Sequence, residues 1–449
     1  MITKYYHCLL NFPHMTNSFF KRFRVPLFIF LISFVLFLAN LPSDWNKDVS
    51  NGTYRRLMTS GDQVPNSFLP WLMLYKGTVN FDEIIGVIRQ LEGGKYRPYF
   101  LIPTEEGFKT AYPILPAVMA IPVYALPILL NKIPEMTYHE SILKIFVLGR
   151  VAGAFYAALS VSLFYLIISE FSKNKKWLYL FTFFYAFGTA TWSVSSRGMW
   201  QHTFAQFFIS IAVLLLIKSL KDKKLIPWLG FILGIAVLAR PTALLLAGAI
   251  SFYVFLKHKN QLVKYIFATL PSVIFMGYYN FVTFGSVLVE GYGARSDFGW
   301  NTPLLESLSG YAFSPARSFL FISPPLVLGF IGIYKVYKDK KFEGKYNQIL
   351  RYLGFGFLIS FLMMAKWWAW EGANGFGYRM LSDYLPILGL FSFLIIKRLK
   401  PKQLTVIMLL IIYSVFIHGN AVINRKSRCS EEHNWTFYCL SPPARKSKY

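Results

Sequence analysis

Cysteine is nearly absent from this chain: Cys8, Cys429 and Cys439 are its three, and none has the spacing or histidine company of a zinc or thiol-redox motif. Sulfur-held metal is therefore not indicated. Charge is scarce as well, at 15% of residues, where soluble domains carry about 25%. Acids are fewest of all, with 21 Asp and Glu against 47 Lys and Arg. There is no Gly-rich phosphate loop, no HExxH pair and no nucleophile elbow, so nucleotide-dependent chemistry is not indicated. Nor is there an internal repeat of the inverted kind that many transporters show.

What fills the chain is apolar: hydrophobic residues are 55% and aromatic residues 18%, with a mean hydropathy of +0.42. Apolar runs long enough to cross a hydrocarbon core recur from Pro26 to Ile423, separated by short polar or basic loops. The predicted fold class is an all-α polytopic membrane protein. The net charge of +26 comes from clusters between those runs, which the positive-inside rule explains better than a nucleic-acid surface does. No nucleic-acid partner is expected, and the tryptophans and tyrosines suit interfacial belts.

Basic clusters mark the inner side at Lys21/Arg22/Arg24, Lys173/Lys175/Lys176, Lys218/Lys221/Lys223/Lys224, Lys257/Lys259/Lys264, Lys335 to Lys345, and Lys397/Arg398/Lys400/Lys402. Segments 41–110, 195–201, the turn at Arg240, 285–317 and 367–379 then face outside. About eleven spans follow, at 26–41, 141–169, 177–195, 200–219, 225–239, 241–256, 262–284, 318–337, 347–366, 379–397 and 402–423. The first reads as an uncleaved signal-anchor, with the N-terminus inside. The C-terminus falls outside, against the pull of Arg425, Lys426, Arg428, Arg445, Lys446 and Lys448. There Cys429 and Cys439 either pair in an oxidising compartment or remain two free thiols. Segment 112–130 carries Pro113, Pro116, Pro122 and Pro127, and is predicted to be a broken juxtamembrane or re-entrant segment instead of a span.

The outer loop 41–110 is the longest polar stretch and too long for a mere connector. Among its acids, Asp44, Asp48, Asp82, Glu83, Glu92, Glu105 and Glu106 suit solvated surface, but Asp62 stands apart. It sits in the turn Ser60-Gly61-Asp62-Gln63-Val64-Pro65 ahead of an apolar run, where partial desolvation would raise its pKa toward a general base's range. The plainer reading is a turn-forming aspartate. Arg197, His202, Arg240, Arg317 and Arg379 fall at outer helix ends, a depth where charge is costly and tends to be functional. Arginine's planar fork matches phosphate, so several together suggest an anionic head group; snorkelling from helix ends accounts for about half of them individually. The turns 314–318 and 367–379 combine small residues with a cation, and glycine there lets backbone approach a ligand. Asp383, one turn after Arg379, is expected to pair with it or with another cation.

Five stretches occur in a familiar order. They are Gly61-Asp62-Gln63-Val64-Pro65 with Leu69-Pro70 and Lys76-Gly77; Ala111-Tyr112-Pro113 through Ile121-Pro122-Val123-Tyr124; Ala239-Arg240-Pro241-Thr242; Phe284-Gly285-Ser286 through Gly291-Tyr292 and Ser314-Pro315-Ala316-Arg317; and Gly377-Tyr378-Arg379 with Asp383 and Leu385-Pro386. Over most of its length the chain resembles the multi-spanning GT-C glycosyltransferases, which take sugars from polyprenyl-phosphate carriers. It looks like bacterial members related to protein mannosyltransferases and the lipid A aminoarabinose transferase. The resemblance implies a bundle of about eleven transmembrane helices with juxtamembrane helices in a large first outer loop. It divides the chain into a module at 1–284 with a catalytic loop at 41–140, a second outer loop at 285–317, C-terminal spans at 318–423 and a tail at 424–449. The charge count independently places seven spans before Gly285.

The resemblance further implies an inner-membrane enzyme with an extracytoplasmic site. Asp62 matches the first-loop acid that deprotonates an acceptor hydroxyl for inverting, in-line attack at the anomeric carbon. Polyprenyl phosphate leaves, its charge met by Arg197, His202, Arg240, Arg317 and Arg379, with Lys109 as a further candidate. Gln63 stands where many members carry a second acid or a histidine. No cofactor is expected, with a divalent cation held by Asp62 and Asp82 or Glu83 as the alternative. The expected partners are a polyprenyl-phosphate-sugar donor, a glycan, lipid or protein acceptor, and membrane lipids. The rival readings are a transporter or flippase of lipid-linked sugars, and a non-catalytic partner of the same fold.

Overall fold

The computed structural model describes residues 12–41, 57, 60–91, 98–130, 133, 139–293, 299–373, 375–423 and 434–437. Cys8, Cys429 and Cys439, with Asp44, Asp48 and Glu92, lie outside the described residues, and with them the question of a disulfide. In chain order the elements are α1 (Phe12–Leu38), α2 (Gln63–Trp71), α3 (Ile85–Leu91), the hairpin strands β1 (Leu101–Thr104) and β2 (Gly107–Thr110), α4 (Leu115–Leu129), α5 (His139–Ser169), α6 (Lys175–Phe187) and α7 (Ala190–Ser193). They continue with α8 (Gln201–Ser219), α9 (Leu225–Ala239), α10 (Leu244–Lys257), α11 (Lys259–Phe284), α12 (Leu304–Phe313), α13 (Phe319–Ile322), α14 (Val327–Lys338), α15 (Asn347–Lys366), α16 (Leu385–Ile396) and α17 (Pro401–Ile423). The protein is all-α and polytopic, as its apolar runs require: backbone N–H and C=O groups in lipid must bond within their own segment.

Among the described residues six helices are long and apolar enough to cross a membrane: Ser141–Ser169, Gln201–Ser219, Lys259–Phe284, Gly344–Lys366, Arg379–Ile396 and Pro401–Ile423. Shorter apolar helices run over Phe23–Leu38, Leu115–Leu129 and Pro241–Lys257. Each of the eleven expected apolar stretches is helical, but two are cut short. The stretch 177–195 stops at Phe187, and 318–337 breaks at Pro324-Pro325 into α13, a 3-10 turn and α14.

The segment expected to be broken is not. α4 is one continuous helix, with Pro116 in its first turn, where the missing N–H costs nothing, and Pro122 and Pro127 inside. At about 1.5 Å per residue it is roughly 22 Å long, short of a hydrocarbon core of about 30 Å. The hydrogen bonds two inner prolines forgo do not break a helix braced by α2 and α5.

Helices approach closely where side chains are small, because packing replaces the hydrophobic drive inside lipid. Gly230 and Gly234 of α9, one turn apart, lie against the Tyr265 carbonyl and Ser272 of α11; a Cβ on either would stand 2.7 Å from those atoms. α11 otherwise turns Val263, Phe267, Ile274, Tyr278 and Phe281 outward. At the site end of the bundle, several elements pass through 3-10 turns: Ser195–Arg197 ahead of α8, Pro241–Ala243 ahead of α10, and Arg379–Tyr384 ahead of α16.

Candidate active site

Asp62 occupies the N-cap position of α2, where an aspartate ordinarily turns its carboxylate onto the first helical amides. It makes no such cap. Its Oδ1 accepts hydrogen bonds from the Tyr99 hydroxyl (2.5 Å) and the Tyr112 hydroxyl (2.8 Å), and its Oδ2 accepts from Arg379 NH1 (2.9 Å). The two tyrosines flank the β1–β2 hairpin, paired from Leu101↔Thr110 to Thr104↔Gly107, so one small rigid unit presents both hydroxyls. Gly61 admits this approach, since a Cβ there would lie 2.8 Å from the Tyr99 oxygen. Asp62 does lie in the turn ahead of α2, but its carboxylate caps no amide of that helix.

The expected rise in the Asp62 pKa is corrected. Burial pushes it up, but the Arg379 guanidinium, the Tyr99 and Tyr112 hydroxyls and His202 together outweigh burial and hold the carboxyl below its ordinary value. Burial and the Asp62 charge push both tyrosines well above the usual range, so they remain donors. Asp62 is thus an ionised carboxylate, and 19% of its side chain is open to an incoming group.

Arg379 opens the 3-10 turn Arg379–Tyr384, and its guanidinium lies over the Trp200 ring at 4.6 Å. The glycines of the preceding turn make its seat. A Cβ at Gly372 would stand 3.0 Å from Arg379 Nε, and one at Gly375 would stand 2.7 Å from it. These glycines admit an arginine side chain, whereas the sequence pattern suggested a ligand. Four residues on, Asp383 is wholly buried and takes His202 Nδ1 on Oδ1 (2.7 Å) and Arg240 NH1 on Oδ2. His202 enters from the first turn of α8 and Arg240 from the break between α9 and the turn Pro241–Ala243. Each buried charge here has an opposite partner, the condition under which ionised side chains persist away from water.

Of the cations expected on phosphate, Arg379, Arg240 and His202 meet in this cluster. The other three are engaged elsewhere. Arg197 NH1 bonds Asn40 Oδ1 (2.6 Å), which also accepts from Arg150 NH2 (2.7 Å). Arg317 grips Asn434 Oδ1 (2.7 Å), the Ala373 carbonyl (2.9 Å) and the Gly375 carbonyl. Lys109 lies in β2 with Glu106 3.6 Å away. The carboxylates proposed to share a divalent cation with Asp62 also have other partners: Asp82 accepts from the Phe108 amide at 3.0 Å, and Glu83 pairs with Lys76 at 3.2 Å. Among the described residues no group of three or more His, Cys, Asp or Glu is placed to hold a metal ion.

A mostly apolar cavity adjoins the cluster, lined by Tyr112, Val237, Met276, Tyr279 and Tyr292 among others, with Asn280 and Glu290 in its wall. Tyr112 is shared: its hydroxyl holds Asp62 while its ring faces the cavity, 5.6 Å from the Tyr292 ring. The Tyr292 hydroxyl accepts from Gln201 Nε2, beside His202. Sequence reasoning missed Tyr99, Tyr112, Trp200 and Tyr292 as site residues. Tyr112 and Tyr292 do fall inside the quoted motifs, whereas nothing local marks Tyr99 or Trp200.

No family profile matches the chain, and no curated protein matches it. Among solved structures it is similar to the crystal structure of ArnT from Cupriavidus metallidurans bound to undecaprenyl phosphate, at 12% identity and a TM-score of 0.47. The match covers 89% of this chain and 66% of that one, so this chain spans just under two thirds of its length.

Proposed function

We propose that this chain is a glycosyltransferase of GT-C type that moves a sugar from a polyprenyl-phosphate carrier to an acceptor hydroxyl at the extracytoplasmic face of the inner membrane. One observation carries the reading: an ionised, partly open carboxylate touches a guanidinium, beside a second guanidinium and an imidazole, next to a mostly apolar cavity. The cavity suits the start of a prenyl chain, because Phe275, Met276, Tyr279 and Phe284 of α11 stand in its wall with Val237 and Leu238. The two guanidiniums suit the phosphate to which that chain is joined.

In the reaction, the acceptor oxygen forms a bond to the anomeric carbon as the bond from that carbon to the phosphate oxygen breaks, leaving its electron pair on the phosphate. Asp62 takes the acceptor's proton, and backside attack inverts the centre. Arg379 and Arg240 face the charge that grows on the leaving phosphate, donors already in place once the carrier is bound. That set requires no cofactor. His202 is oriented through Nδ1 by Asp383, which also holds Arg240.

The test is transfer in proteoliposomes loaded with polyprenyl-phosphate-linked sugars, scored by release of polyprenyl phosphate. Asp62→Asn is expected to lower the rate by about 10²-fold or more, the range of a lost general base, with the protein folded and inserted. Transport of the intact lipid-linked sugar without release of polyprenyl phosphate would establish a flippase and overturn the proposal. Mass analysis of envelope glycans in a strain lacking the protein then identifies the sugar and acceptor.

A further inference from the structure

We propose that the Asp62–Arg379 ion pair is a latch which the donor phosphate opens, so that the acid is competent only once the donor is bound. The inference rests on the transferase reading and extends it to the order of events. An ionised carboxylate has about four acceptor sites. Two of those on Asp62, both on Oδ1, are filled by Tyr99 and Tyr112, and Arg379 occupies Oδ2. In this state the oxygen that would take a proton is committed to a cation. An acceptor hydroxyl arriving first meets a carboxylate with its charge already matched.

A phosphate changes the competition. Arg379 gives Asp62 a single bond through NH1, whereas two phosphate oxygens accept in parallel from both arms of a guanidinium. Arg379 therefore has more to gain from the donor than from Asp62. The seat it leaves is made by the Trp200 face and the Gly372 and Gly375 backbone. Asp62 does not follow, because the hairpin's two hydroxyls hold Oδ1 in place. Donor binding thus moves one guanidinium and leaves Oδ2 bare and more basic, facing the reacting centre. Arg240 is not free to serve as the latch, since Asp383 holds it. The latch makes binding ordered, donor first, and keeps the carboxylate from acting before a carrier phosphate is bound. Tyr99 and Tyr112 act here as positioning residues.

The experiment uses the full chain in nanodiscs, with polyprenyl phosphate lacking a sugar as probe and the polyprenol of equal length as control. Trp200 emission, taken as wild type minus Trp200→Phe, is expected to change with the phosphate and not with the alcohol, as Arg379 leaves the ring. Affinity is then measured through a double-mutant cycle. Asp62→Asn should tighten phosphate binding by about tenfold with Arg379 present, and by less than about threefold in an Arg379→Gln background. Equal tightening in both backgrounds, or none, overturns the latch while leaving phosphate binding intact. If Asp62→Asn does not fold, wild-type emission decides: an unchanged Trp200 signal at saturating phosphate overturns the latch. Failure of the wild type to prefer phosphate over alcohol overturns the transferase reading itself.

Discussion

Asp383 gives the sharpest separation between stability and activity. Its carboxylate is wholly buried and matches Arg240 and His202, themselves 4% and 3% exposed. Asp383→Ala leaves a guanidinium and an imidazole with no acid, and removing one partner of a buried ion pair costs about 3–5 kcal/mol. Unfolding entropy of about 2.1 cal/mol/K per residue, over 449 residues, is roughly 0.9 kcal/mol/K. The expected fall in Tm is therefore about 3–5 °C, read by thermal unfolding in detergent. The contrasting variant replaces the whole set, Asp383→Leu with Arg240→Met and His202→Phe. Well-packed apolar groups in place of a buried ionic set are often neutral or stabilising by about 1–4 kcal/mol, so this triple variant should recover the wild-type Tm. Sugar transfer should be lost in both. A single variant with unchanged Tm, or a triple variant no more stable than the single, refutes the view that the charges are kept for chemistry at a cost in stability.

Other expectations follow from individual contacts. The acid limb of kcat/KM for the donor, which reports the free enzyme, should lie below the ordinary aspartate range of about 4, because Asp62 is held low. The same depression stabilises the fold above the unfolded pKa, an effect lost as pH falls through the folded one; a limb near neutral pH would remove Asp62 from the proton step. His418→Leu should lower stability by about 1–3 kcal/mol, since its ring joins Ser193 (2.7 Å) to Ser323 (2.9 Å) between α17 and the core, and Ser193 loses that bond while Ser323 keeps Gly188 and Tyr378; unchanged thermal unfolding would contradict this. Gly291→Ala should lower both stability and transfer, because its Cβ would strike the Ala111 backbone next to Tyr112, where neither side can yield. Wild-type rates in that variant would show that the segment around Gly291 does not brace the site.

The bundle was readable because a membrane span is a local property: each apolar run declares itself within its own twenty or so residues. Where the helices unwind was not, and the 3-10 turns carrying Arg240 and Arg379 follow from packing between segments far apart in the chain. Asp62 was legible as an acid placed ahead of an apolar run. The direction of its pKa was not, since desolvation can be inferred from neighbours in sequence while the guanidinium that outweighs it lies 317 residues away.

The paired fates of Arg317 and Arg379 make the same point with more consequence. Both follow turns of small residues, and the sequence gives no ground for separating them. In the fold they are two parts of one device. Arg317, fully buried, binds the carbonyls of Ala373 and Gly375, and Gly375 together with Gly372 forms the floor on which Arg379 lies. Arg317 thus spends its fork on holding a backbone turn, and the turn's shape is what aims Arg379 at Asp62. Its loss should reach the site through that turn: Arg317→Lys keeps the charge but cannot span three acceptors, so a purely electrostatic role predicts retained phosphate affinity and a positioning role predicts its decline. Retained affinity would return Arg317 to the set of cations acting by charge alone.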